Sequence, residues 1–169
     1  MLLLSLFFAL EKINMDTTLL GKKAESKIKD WLDRPQEGYC LDRIPDQMTG
    51  FYGSKNICDF TLFKSPYMYY IESKATWEDR FDFSMLTETQ HTGLTNKSKI
   101  SEVFGVVVVL FASYKRAFII DIREINRYIQ LGKKSINIKK IDSLDFKCHE
   151  IQTIPSRKEL LDYTGDFIL

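Results

Sequence analysis

The sequence predicts an α/β domain in which a central mixed β-sheet is flanked by helices. Three observations carry that expectation. Val103 to Phe111 is a continuous, valine-rich apolar run, the pattern of a strand buried on both faces. Asn56 to Phe63 and Tyr67 to Ala75 are two strand candidates joined by Lys64-Ser65-Pro66, which reads as a hairpin turn. Segments of helical period lie before, between and after these strands. Size and composition agree: 169 residues fit one domain, and 44% apolar with 28% charged residues exclude a disordered or collagen-like chain. Lys plus Arg total 24 and Asp plus Glu total 23, a net charge of +1. Bulk charge alone therefore does not hold the chain on nucleic acid, and only local basic patches could do so. Cys40, Cys58 and Cys148 form neither a CxxC pair nor a disulfide framework, so a reducing compartment is expected and structural zinc is not.

The elements follow in order. Met1 to Leu10 is almost wholly apolar, about half of the ~20 residues a spanning helix needs. No Lys or Arg precedes it, and Ala9-Leu10-Glu11 is a poor cleavage site. Residues 1–14 are treated as an apolar leader with three open readings. Translation begins at Met15, the segment packs on the domain, or, least favoured, it is an export signal. Residues 15–169 are expected to form a single domain. A helix is expected over Thr18–Leu32, where Ala24, Ile28, Trp31 and Leu32 make one apolar face and Arg34-Pro35 ends the run. Tyr39–Ile44 reads as a short strand and Pro45–Ser54 as a loop. After the hairpin, Ser84 is expected to cap a helix over Ser84–Leu94. Arg116–Ile122 reads as a strand, and Arg123–Leu131 as a helix closed by Gly132. Beyond Lys140 the pattern assigns no element.

The segment with chemistry in it is Ile57–Lys74. Strand side chains alternate, so Glu72 and Lys74 share one face, and Tyr69, Ile71, Ser73 and Ala75 share the other. If the hairpin pairs as read, Asp59 lies close to Glu72. Two carboxylates with waters and a phosphate oxygen make a Mg²⁺ site. Such a metal lowers the pKa of water and stabilises charge on a phosphate. A neighbouring lysine can orient the attacking water or offset growing negative charge. The reading is a metal-dependent phosphodiesterase acting on nucleic acid. Its plain rival is a surface ion pair or a structural salt bridge, and an isolated E-x-K would carry little weight. The aromatic and aliphatic setting of Glu72 and Lys74 raises the functional reading, because charges buried there need partners or a metal.

Asp59 on one strand and Glu72-Ser73-Lys74 on the next resemble the PD-(D/E)xK nuclease superfamily. The flanking residues resemble its RecU-type Holliday junction resolvases of bacteria and their phages. Gly21 and Glu25 match a Gly and a Glu on that branch's first helix, and Lys74 and Thr76 match its Lys-x-Thr. Phe83-Ser84-Met85-Leu86 and Gln90 match its phenylalanine-led segment and helical glutamine, and Val106 to Phe111 its apolar strand. The resemblance spans roughly Gly21 to Tyr128. It implies a restriction-endonuclease-like core and a Mg²⁺-dependent endonuclease, with Mn²⁺ as a substitute, that cuts four-way DNA junctions as a homodimer in the bacterial cytoplasm. The chain could be phage-encoded, and no membrane association is expected. Asp59 and Glu72 would bind the metal, Lys74 would assist the water, Glu25 would be a further acidic group, and Gln90 would hold a water or a phosphate. The chain departs from the branch in two places. Only Asp42 to Cys58 is available where the branch has a long stalk, and Thr89 stands before Gln90 where the branch tends to have His. Two alternatives stay open: a nuclease of the same chemistry on other DNA substrates, and a non-catalytic DNA-binding module on the same fold.

DNA contacts are expected from Lys22, Lys23, Lys27 and Lys29 on the first helix and from Lys97 and Lys99 after the Gln90 helix. Lys133, Lys134, Lys139 and Lys140 form a third, lower-ranked cluster. Phe51 and Tyr52 could stack on unpaired bases. His91, Cys58, Trp31 and Trp77 are read as surface or packing residues.

Overall fold

The computed structural model describes residues 17–33, 38–45, 56–143, 145–155 and 161–169. The leader and Met15, the Arg34-Pro35 stop, most of the Pro45–Ser54 loop, and Phe51 and Tyr52 lie outside them.

The first helix, α1 (Thr17–Leu32), buries Leu20, Ala24, Ile28, Trp31 and Leu32, the expected stripe extended by one turn. It is followed by β1 (Tyr39–Arg43), β2 (Phe60–Lys64) and β3 (Tyr67–Thr76), an antiparallel meander. β3 leads through the short β4 (Arg80–Asp82), a 3-10 turn at Phe83–Met85 and helix α2 (Glu88–Lys97) into β5 (Val103–Phe111). β5 lies parallel to β3, the pairing a helical crossover permits. Then come β6 (Arg116–Asp121), antiparallel to β5, and α3 (Ile122–Gln130). The last strands are β7 (Ser135–Asn137), β8 (His149–Glu150), β9 (Gln152–Pro155) and β10 (Leu161–Thr164). The main sheet has the order β1-β2-β3-β5-β6-β8, and β4 with β7 and β9 with β10 form two-stranded ribbons. The expected mixed sheet flanked by helices is what forms.

β5 is buried on both faces, as its composition requires. Val106, Val108 and Leu110 face a core built with α1, while Val107, Val109 and Phe111 face a second core that contains Leu94 of α2 and Ile122, Ile125 and Tyr128 of α3. The β9–β10 ribbon closes the α1 side. Trp31 donates from Nε1 to the Gly165 carbonyl at 2.9 Å, and Trp31 packs edge-on against Tyr163. On the other side α2 lies directly on β5. A Cβ at Gly105 would come within 2.6 Å of the Leu94 carbonyl oxygen, and the Gly105 amide donates to Ser98 Oγ at 2.7 Å.

Two expectations need correction, and the unassigned C-terminal stretch gains its elements. Ser84 does not cap a helix: it sits in the 3-10 turn, and α2 begins at Glu88. The reason is local. Thr87 accepts from the Gln90 amide while the Gln90 side chain accepts from the Thr87 amide, a capping box that starts the helix there. β2 begins at Phe60 rather than Asn56, although backbone bonds Asp59 N to Ile71 O (3.0 Å) and Ile44 N to Asp59 O (2.8 Å) carry the pairing one residue further. The stretch after Lys140 holds a 3-10 helix and three short strands.

Candidate active site

The β2–β3 register places Phe60 opposite Ile71, so Asp59 comes level with Glu72. Asp59 Oδ2 accepts the Ser73 amide at 2.7 Å, which fixes its carboxylate against β3. Glu72 points from β3 into the α2 side of the sheet and is 2% exposed. Its Oε1 is doubly engaged. Lys74 Nζ lies 2.7 Å away, and Gln90 Nε2 donates to it at 2.5 Å. Gln90 is held in turn, because its Oε1 accepts from the Thr87 amide at 3.0 Å and from Lys74 Nζ at 3.2 Å. Two donors on Oε1 determine which way the amide faces, so the NH₂ group must point at Glu72. Thr87 is not among the candidate residues named above. The signal was present as Thr87-x-x-Gln90, a helix-start pattern that doubles here as the mount for a site residue.

The other oxygen of Glu72 is different. Oε2 is buried and has no hydrogen-bond partner among the described residues. Burial, and secondarily the Asp59 charge, push the Glu72 carboxyl up to about 8, and the Lys74 ammonium only partly counters them. The buried Cys58 thiol beside them is pushed up to about 12, by burial first and then by Glu72 and Asp59. A buried carboxylate with an unpartnered oxygen, beside a second, half-buried one, makes a place where a cation relieves both the cost of burial and the mutual repulsion. Hard oxygen donors of this kind suit Mg²⁺ or Mn²⁺. Among the described residues no three His, Cys, Asp or Glu side chains converge as a metal cluster. The carboxylates available to a metal here are those of Asp59 and Glu72, and Mg²⁺ commonly takes one or two carboxylates and fills the rest with water and phosphate oxygens.

Glu25 stands at the margin. Its charge reaches Glu72 and contributes to the upward push, and its Oε2 accepts from Arg43 Nη2 at 3.0 Å. The lysines of α1 divide between two sides of the helix. Lys22 and Lys29 line a cavity of about 560 Å³ with Glu25, Ser26, Arg43 and Phe60. Lys27 turns to the β9–β10 ribbon and pairs with Asp162 at 2.6 Å. Lys23, four residues before it, shares that side by helical period. Lys97 lies over the Tyr70 ring, 4.9 Å from its centroid, and Lys99 donates to Asn96 Oδ1 at 2.9 Å. In the third cluster, Lys139 pairs with Asp79 at 2.8 Å.

A family model for recombination protein U, RecU, matches residues 41–165. The chain belongs to the RecU family. Its role is accordingly that of a recombination nuclease of the Holliday junction resolvase class. Asp59, Glu72, Lys74 and Gln90 of this RecU-family chain all fall inside the matched stretch, whereas α1, with Gly21 and Glu25, lies before it. Among solved structures, the chain is similar to Archaeoglobus fulgidus Hjc, described as a Holliday junction resolvase from an archaeal hyperthermophile. The identity is 16% and the TM-score 0.47, over 70% of this chain and 89% of that one. No curated protein matches this RecU-family chain. No helix among its described residues is long and apolar enough to cross a membrane.

Proposed function

We propose that the chain is a Mg²⁺-dependent endodeoxyribonuclease that resolves four-way DNA junctions, with Asp59 and Glu72 as its metal ligands. The observation that carries this reading is the buried, unpartnered Oε2 of Glu72 beside Asp59. A cation bound there would supply two things, a more acidic water and charge stabilisation on the phosphate in the transition state. The chain's own residues do the rest. Asp59 is held against β3 by the Ser73 amide, which sets the direction of its carboxylate. Gln90 and Lys74 hold Glu72 through Oε1, and Oε2 is the oxygen that would bind a metal. The Lys74 ammonium stands one hydrogen bond from Glu72, where it can orient the attacking water and offset charge on the phosphate oxygens. The water oxygen bonds to phosphorus as one P–O bond breaks, and the departing strand end takes a proton. Lys22, Lys29, Lys97 and Lys99 supply phosphate contacts outside the metal site. The family resemblance supports a homodimer, whose two sites would cut the two opposed strands of a junction.

The test is cleavage of a labelled four-way junction in Mg²⁺, beside linear duplex, flap and single strand. Glu72→Ala serves as the control. Paired nicks at the junction are expected from the wild type, with at least a hundredfold loss in the variant, on the order of what removal of one essential charge-stabilising group costs. A Glu72→Ala protein that cuts at the wild-type rate overturns the site. Equal cleavage of all the DNAs keeps the chemistry and removes the junction role. Binding without cleavage in either Mg²⁺ or Mn²⁺ leaves a non-catalytic DNA-binding module.

A further inference from the structure

Helix α2 makes two close approaches that need a glycine. One is at Gly105, in the strand beneath it. The other is at Gly93, in the helix itself, against the chain that leads into β2. A Cβ built on Gly93 would come within 2.6 Å of Ile57 Cβ and still closer to Ile57 Cγ2. Neither atom is the loose end of a side chain, so a methyl group there forces the helix or the lead-in to move. A glycine inside a helix is destabilising in itself, and here it makes room for that approach.

Each partner of the contact stands close to a site residue. Ile57 is two residues before Asp59. Cys58 between them is buried, and its Sγ donates to the Phe60 carbonyl at 3.3 Å, so the link is short and held. Gly93 is three residues after Gln90, on the same side of α2 by helical period, and Gln90 clamps Glu72. One helix therefore bears on both carboxylates. It reaches Glu72 through Gln90 and Asp59 through Ile57. The backbone bonds of Asp59 to Ile71 and Ile44 lie in the plane of the sheet. The contact with Gly93 acts across that plane, in the direction in which the ladder restrains a strand end least.

We propose that Gly93 and Ile57 are positioning residues, and that their contact sets the separation of the Asp59 and Glu72 carboxylates with α2 as the shared gauge. Mg²⁺ demands near-ideal octahedral geometry, whereas Ca²⁺ accepts a flexible one. A pair of carboxylates moved slightly apart or together therefore loses Mg²⁺ before it loses Ca²⁺. The proposal rests on the metal-nuclease reading above, and its test separates the two.

Melting temperatures are measured over a series of MgCl₂ and of CaCl₂ concentrations at constant ionic strength, and the midpoint of the rise reports metal affinity. Cleavage of a labelled four-way junction in Mg²⁺ is recorded alongside. The proteins are wild type, Gly93→Ala, Ile57→Gly, the Gly93→Ala/Ile57→Gly double variant and Ile136→Val. The last thins the same core from the β4–β7 ribbon and controls for lost stability. Gly93→Ala is expected to raise the Mg²⁺ midpoint by about 10- to 100-fold, the usual effect of losing a residue that orients a metal ligand, and the Ca²⁺ midpoint by less. Ile57→Gly, which empties the contact, should also raise the Mg²⁺ midpoint. The double variant moves the methyl group from one side of the contact to the other, so its midpoint should lie nearer the wild type than that of either single variant. Ile136→Val should melt lower in EDTA and keep the wild-type midpoints. The proposal is overturned if Gly93→Ala keeps the wild-type Mg²⁺ midpoint, or if the losses of the two single variants multiply in the double. It is also overturned if Ile136→Val shifts both midpoints as Gly93→Ala does, because general loosening would then account for the effect. A wild type that binds Mg²⁺ and cuts junctions while Gly93→Ala binds Mg²⁺ normally rejects the gauge alone. A wild type that neither gains stability from Mg²⁺ nor cuts DNA rejects the nuclease reading and the gauge together.

Discussion

Gln90 carries two duties that most helix-start residues do not combine. It is the third residue of a capping box, and the same side chain clamps Glu72 and meets Lys74. Substitution can separate the duties. Thr87→Ala removes the hydroxyl acceptor of the box and should cost about 1 kcal/mol of stability, the usual value of an N-cap. It should also slow cleavage, because the amide that orients Glu72 loses part of its mount. Gln90→Glu keeps a good capping-box residue, since Glu serves this position as well as Gln. It places a carboxylate against a buried carboxylate, however, and removes the donor to Oε1. The expected outcome is near-normal folding by circular dichroism with cleavage largely lost. If Gln90→Glu cleaves like the wild type while Thr87→Ala is impaired, the amide does not orient Glu72, and the impairment of Thr87→Ala is one of helix stability.

Among the elements, α2 is set in height by β5. The close approach at Gly105 and the Ser98 hydroxyl on the Gly105 amide hold the helix against the strand, and Gln90 stands at the other end of that helix. Gly105→Ala would drive a methyl group into the Leu94 backbone, which cannot swing aside. A loss of about 1–3 kcal/mol in urea denaturation is expected, typical of an overpacked core. Reduced cleavage should accompany it as Gln90 is displaced. The same element marks how far the sequence could be read. β5 was legible to its last residue, because nine consecutive apolar positions admit few other structures. The convergence of Asp59, Glu72 and Lys74 was legible too, from alternation and a short turn. The start of α2 was not, because Phe83, Met85 and Leu86 continue an apolar pattern that belongs to a 3-10 turn and the core beneath it. The split of the α1 lysines was encoded in the helical period, yet their proximity in sequence suggested one patch. The C-terminal strands are two to four residues long, too short to leave a period in the sequence.

At the scale of the whole molecule, the site is stored at a cost to stability that depends on pH. The Glu72 carboxyl stands near 8 in the folded chain, against an ordinary value of 4.5. Below about 4.5 both states hold the proton, and this group contributes no difference. Between 4.5 and 8 the unfolded chain releases it and the folded chain keeps it. Stability from this group therefore falls as pH rises, with a slope of at most about 1.4 kcal/mol per pH unit, and the loss is complete above 8. Urea denaturation in EDTA at pH 6 and pH 8.5 should show that fall in the wild type and a smaller one in Glu72→Gln. Saturating Mg²⁺ should restore stability most at pH 8.5, where the metal no longer competes with the proton. If the wild type and Glu72→Gln fall equally, the buried carboxylate is not the cause.

The sheet also determines how such a loss is felt. β5 gives alternate side chains to two cores, so neither core closes without it, and its backbone is bonded to β3 on one side and β6 on the other. The two faces are thus one cooperative unit. Proton uptake by a carboxylate on one face is felt as stability on both, and the helix that carries Lys22 and Lys29 and the helix that mounts Gln90 melt together.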